Sequence, residues 1–143
     1  MVSLTGNIGR NVTRITDAAR VRVRVVTDTT LVHMCSADEW ERCRATGHRI
    51  PDTFAADGFV HLSTTGQVHL PANRLFAGRD DIVLLYLDAS ALGSDVRWEP
   101  GVPTDPASML FPHLYGPLPA HAVTAVRPYR RGPDGAFEPP PAR

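Results

Sequence analysis

Hydrophobic positions along this chain fall into short runs separated by glycine, proline and charged residues. Val21-Arg22-Val23-Arg24-Val25-Val26 alternates with period two, which predicts a strand with arginines on one face. It belongs to residues 1–29, an N-terminal extension that would either add an edge strand protected from further pairing by its charges or be only loosely held to the domain. Thr30 to Met34 reads as the first core strand, and Ser36-Ala37-Asp38-Glu39 as a capping box that opens a helix. Trp40 and Cys43 would form that helix's inward stripe, and Gly47 would end it. His48 to Ala56, with Pro51, predicts an irregular connection, and Asp57-Gly58 a turn into the short strand Phe59 to Thr64. In that strand Phe59, His61 and Ser63 share one face and Val60 and Leu62 the other. Ser63 or Thr64 would cap the next helix, Pro71 would break or delay it, and Gly78 would stop it.

The continuous apolar run Ile82 to Leu87 predicts a central strand buried on both faces. A turn or short helix over Ala89 to Gly93 follows, then a strand Val96 to Glu99 ended by Pro100. Pro100 to Ser108 reads as a loop, Met109 to Gly116 as a mixed apolar and polar segment, and Ala122 to Val126 as the last strand. Residues 131–143 are rich in proline and glycine and read as a mobile tail, leaving 30–130 as a single domain.

Composition narrows the function classes. A length of 143 residues suits one domain with a real core. Lys+Arg and Asp+Glu are each 15, so net charge does not point to nucleic acid, and no apolar run approaches the ~20 residues that span a bilayer. The basic N-terminal stretch has no continuous apolar core of the secretory kind, which predicts a cytoplasmic location. Cys35 and Cys43 are too few for a disulfide framework and lack CxxC spacing.

The side chains able to carry chemistry near neutral pH are His33, His61, Ser63, Glu99, His113 and Tyr115, spread over separate segments on or beside predicted strands. Imidazoles exchange protons, a carboxylate orients an imidazole or a ribose hydroxyl, and a phenol donates to an oxyanion or phosphate. The competing structural reading has the histidines bridging backbone carbonyls and Trp98, Phe111 and Tyr115 filling the core. His48, His69 and His121 read as surface groups. HExxH, GxSxG, GxGxxG and GxxxxGK are all absent, so zinc-protease, serine-hydrolase and common glycine-rich nucleotide cradles are not indicated. No metal is assigned, with a distributed His33, His61 and His113 site as the minor alternative.

Leu31-Val32-His33, Glu39-Trp40, Asp57-Gly58-Phe59-Val60-His61-Leu62-Ser63, Gln67, Phe76-Ala77-Gly78, Trp98-Glu99-Pro100 and Phe111 to Leu118 together resemble the bacterial domain-of-unknown-function 952 family, over roughly Thr30 to Arg130. The resemblance implies an α+β fold: a small ADP-ribosyltransferase-like split, mainly antiparallel sheet with flanking helices. That fold group includes toxins and RNA 2′-phosphotransferases that bind NAD or ADP-ribosyl groups. Its Ser-Thr-Ser strand and the acidic pair before its catalytic glutamate are not recognisable here. By family motif, His61 lies in the DGF-hydrophobic-HLS segment, Glu99 in WEP, and His113 and Tyr115 in FPHLYGPL. The expected site then has His61, His113 and Glu99 as catalytic candidates and His33, Ser63 and Tyr115 as ligand contacts. NAD, ADP-ribose or a phosphorylated nucleoside would be substrate or ligand of a transferase. The alternative is a non-catalytic small-molecule or protein interaction domain. Oligomeric state has no signature in the sequence.

Overall fold

The computed structural model describes residues 30–102 and 109–142. The predicted N-terminal extension, with its possible edge strand, lies outside the described residues. The first strand, β1 (Leu31–Ser36), runs into α1 (Ala37–Thr46), and the predicted capping box is formed. Ser36 Oγ accepts from Glu39 N–H at 3.1 Å, and Glu39 Oε1 accepts from Ser36 N–H at 2.8 Å. Gly47 closes the helix at φ 91°, where a side chain would be strained, and Cys43 is the buried residue of its inner face. Ser36→Ala removes the acceptor for one orphan N–H and is expected to lower stability by about 1 kcal/mol in urea unfolding.

The connection that follows is more ordered than its composition suggests. It contains β2 (His48–Arg49), which pairs with a later short strand, and α2 (Phe54–Asp57), closed by Gly58 at φ 81°. Next come β3 (Val60–His61) and β4 (Ser63–Thr64), each two residues long. The single predicted strand over 59–64 is therefore split at Leu62, and its halves join different sheets while Val60 and Leu62 both stay buried. Neither Ser63 nor Thr64 caps the next helix. Thr64 pairs with β1, and α3 (His69–Leu75) starts only after Val68. The delay follows from Pro71, which sits in the first turn where its missing N–H breaks no helical bond. The first bond across four residues from within α3 is Ala72 N–H to Val68 O at 3.1 Å.

Beyond α3 run β5 (Ile82–Leu87), β6 (Val96–Pro100), β7 (Leu110–Leu114), β8 (Leu118–Pro119) and β9 (Val123–Pro128). All strand pairs are antiparallel, arranged as a four-stranded sheet β4-β1-β5-β9, a three-stranded sheet β3-β7-β6 and the small pair β2-β8. The fold is thus α+β with a divided, antiparallel sheet, and β5 is an inner strand as its apolar run predicts. Alternation along β1 and β5 sends Leu31, Cys35, Leu85 and Leu87 to one core cluster, shared with Val60 and Leu114 of the three-stranded sheet. Val32, Ile82, Leu84 and Tyr86 go to a second cluster on the other face, under α3.

The segment after Arg130 corrects the expectation of a mobile tail, because it packs on this second face. Phe137 is only 2% exposed and lies 4.9 Å, centroid to centroid, from Tyr129. Asn73 of α3 holds the Phe137 backbone at both groups, accepting from its N–H at 2.8 Å and donating to its carbonyl at 3.0 Å. Tyr129 Oη donates to Glu138 O and Tyr86 Oη to Pro141 O. Prolines remove donors without preventing such docking, which uses side chains, carbonyls and the Phe137 N–H.

Candidate functional site

The division of the sheet creates a seam, and His33 spans it. Its Nδ1 lies 2.7 Å from the carbonyl of His61, so Nδ1 must carry the proton and donate across the seam from β1 to β3. The neutral ring then accepts at Nε2 from Arg49 Nε–H at 3.1 Å. Burial, reinforced by the neighbouring Arg49 charge, pushes the His33 pKa down to about 4, so the ring is neutral at physiological pH. Arg49 continues the chain of contacts to Glu39, with Nη1 at 3.4 Å from Oε2. The Glu39 carboxylate is held below its ordinary range against the opposing effect of its own partial burial, because Ser36 N–H and Arg49 favour its charged form. A capped helix, a short strand and the seam are thereby tied by one polar network.

Beside this network lies a cleft of about 380 Å³, within the range of small-ligand sites. Its lining comes from both sheets, the β2–α2 connection and α3, and is mainly apolar: Met34, Pro51, Pro71, Leu75, Phe76 and Phe111. Its polar groups include His33, His61, Ser63, Arg49, Arg74 and Asp52. Three of the six sequence-predicted residues, His33, His61 and Ser63, therefore meet at one cavity. Ser63 is buried and held on β4 opposite Val32.

Glu99, His113 and Tyr115 do not line that cavity but form a second cluster on the three-stranded sheet. Tyr115 Oη donates to Glu99 Oε1 at 2.7 Å, and His113 Nδ1 donates to the same oxygen at 2.9 Å. Both bonds hold the Glu99 carboxylate below its ordinary range, and the Tyr115 phenol is correspondingly raised. Burial lowers the His113 pKa despite the Glu99 bond, so the pair is a hydrogen bond between a neutral imidazole and a carboxylate. His113 is 2% exposed, its Nε2 has no partner among the described residues, and Phe59 stacks over its ring at 4.0 Å. His113 is thus enclosed within this cluster, between Glu99 and the Phe59 ring, rather than at the cleft.

His61 joins the two regions. Strand register sets it opposite His113, with ring centroids 5.2 Å apart. Its side chain is 47% exposed, and its Nε2–H donates to Asp57 Oδ2 at 2.9 Å. Asp57, Arg49, Phe59 and Arg97 adjoin these candidates, and sequence reasoning did not select them as site residues. Asp57 had a legible signal, a carboxylate four residues before a motif histidine. Arg97, whose guanidinium carbon lies 4.3 Å from the Tyr115 ring centroid, had none. His48 and His121 are exposed as expected, whereas His69 is half-buried with its Nδ1 out of solvent and unpartnered among the described residues. Among the described residues no three His, Cys, Asp or Glu side chains group so as to hold a metal ion, the distributed His33, His61 and His113 set included. No helix among them is long and apolar enough to cross a membrane. Cys35 and Cys43 are both buried, and burial pushes the Cys35 thiol up to about 12, away from a reactive thiolate.

Comparison with known proteins agrees with this architecture. The profile of the family described as "Protein of unknown function (DUF952)" matches residues 34–126. The crystal structure of protein CC0527 from Caulobacter crescentus is 33% identical and superposes with a TM-score of 0.65 over 77% of this chain and 94% of that one. The solution NMR structure of the same protein gives 34% identity and a TM-score of 0.64 over 76% and 91%. No curated protein matches the chain.

Proposed function

This chain belongs to DUF952, a family of proteins of unknown function, and from that premise we propose that its seam cleft binds a nucleotide-like small molecule: NAD, ADP-ribose or a phosphorylated nucleoside. The observation that carries the reading is the convergence of His61, Ser63 and Arg49 on one largely apolar cavity at the split of an antiparallel sheet. Such a cavity accepts a flat ring system and offers a few fixed polar groups for orientation. An ADP-ribosyltransferase-like assignment of the fold is part of the proposal, supported by the divided sheet and by the motif resemblance.

If the protein is a transferase, His61 is the proton-handling group. Asp57 orients its ring through Nε2, and Nδ1 is the accepting atom. Glu99 and His113 then act as positioning residues behind Phe59. Their distance from the cleft favours the second reading, a binding domain without turnover, because the expected carboxylate and second imidazole do not face the cavity.

Calorimetric titration with NAD, ADP-ribose and AMP tests the proposal. His61→Ala is expected to weaken binding at least about tenfold, or ~1.4 kcal/mol, with little change in thermal midpoint, whereas His113→Ala should lower the midpoint first. Release of nicotinamide from NAD by the wild type but not by His61→Ala would select the transferase. Saturable binding without product would select the binding domain. Absence of saturable binding by all three compounds would sink both.

A further inference from the structure

The cleft holds two guanidiniums in different states. Arg49 is spent on the fold: its Nε–H goes to His33, its Nη1 faces Glu39, and its side chain is 14% exposed. Arg74, in the last turn of α3, also lines the cleft but has no hydrogen-bond or ion-pair partner among the described residues. On the acidic side, Glu39 is engaged by both Ser36 N–H and Arg49, whereas Asp52 lines the cleft without a partner among the described residues. Among the described residues the cavity thus presents one uncommitted cation and one uncommitted carboxylate over an apolar surface. Phe76 and Phe111 supply aromatic rings there, and Pro51 and Pro71 supply flat aliphatic ones.

We propose that the ligand of this cleft is an anion carried on a flat, largely apolar body, with Arg74 taking the anionic group and Asp52 accepting from an amino or hydroxyl edge. This rests on the reading of the seam cleft as the ligand site and adds its charge and shape. A guanidinium binds phosphate or carboxylate through paired N–H groups, and Asp52 next to such an anion disfavours ligands that lack a donor edge. Arg49 contributes field but few free donors. A last-turn arginine also suits a helix C-terminus through the backbone dipole. That role alone would make Arg74 matter for stability and leave ligand preference untouched.

The test uses two matched pairs of probes, AMP with adenosine and 1-naphthyl phosphate with 1-naphthol. Each is titrated by calorimetry against the wild type, Arg74→Gln and Arg74→Lys, with thermal melts of each protein alongside. The expected result is at least about tenfold tighter binding of the phosphorylated member in the wild type. Arg74→Gln should abolish that preference, Arg74→Lys should retain part of it, and added salt should weaken it. Equal affinity within each pair, or a phosphate preference that survives Arg74→Gln, overturns the inference. If 1-naphthyl phosphate binds through Arg74 while AMP does not bind, the inference stands and the nucleotide reading falls. If AMP binds independently of Arg74, the nucleotide reading stands and the inference falls. If no probe binds, both fall.

Discussion

Phe137→Ala is expected to cost about 3–5 kcal/mol of folding stability, the range for deleting a buried aromatic side chain. The ring is 2% exposed and packs in a cluster with Val32, Ala72, Ile82, Leu84, Tyr86 and Tyr129. Such a loss is large against the ~5–15 kcal/mol that holds a typical domain together. It also bears on function, because Asn73, which clasps the Phe137 backbone, lies on the same short helix that sends Pro71, Arg74 and Leu75 to the cleft. That helix has no side-chain N-cap, so its place depends on what packs against it. Urea unfolding of the wild type, Phe137→Ala and a chain truncated after Arg130 measures the effect. The two variants should show similar losses; a Phe137→Ala loss below about 1 kcal/mol would mean that the segment is not docked in solution.

Acidification from pH 7 to pH 4.5 is expected to remove about 2–3 kcal/mol through His33 alone. In the unfolded chain this imidazole protonates near 6.5, and in the folded chain only near 4. Its folded pKa is depressed, so between those values the unfolded state binds more protons and stability falls as pH falls. The contribution is complete above pH 6.5 and lost by about pH 4, and at ~1.4 kcal/mol per pH unit of difference the full span is about 3 kcal/mol. The groups facing His33 are Arg49, the His61 carbonyl, and Glu39, whose carboxyl is held below its ordinary range by Ser36 N–H and Arg49 against its own partial burial. His113, also lowered by burial, acts in the same sense. Urea midpoints at both pH values should separate widely for the wild type and much less for His33→Gln, which cannot titrate. Parallel pH profiles for the two proteins would refute the assignment.

Features governed by neighbours in the chain are legible in the order of residues alone. Ser36 and Glu39 lie three residues apart and cap each other, Gly47 takes the left-handed conformation that ends the helix, and Pro71 delays α3. The unbroken run Ile82 to Leu87 forms an inner strand because only that position buries both of its faces. Period two also places Val60 and Leu62 inward correctly, yet it does not say that the strand changes sheets between them. The docked end of the chain is hidden for a related reason: proline and glycine report irregular backbone, not where Phe137 inserts.

Within the candidate site, motif reading selects His61, Ser63 and His33, and these share a cleft. It also selects Glu99, His113 and Tyr115, which share one another's hydrogen bonds instead. Arg49 and Arg74 carry no local signal, since one becomes significant through His33 across the seam and the other through its lack of a partner among the described residues. By itself, then, the sequence determined the two ends of α1, the inner strand, the delayed start of α3 and the identity of the titratable groups, all of which depend on contacts within a turn or on alternation along one strand. Only the tertiary structure decided which of those groups meet, because pairings such as His61 with His113 and Val32 with Ser63 are set by the joint packing of strands far apart in the chain, and no local period encodes that register.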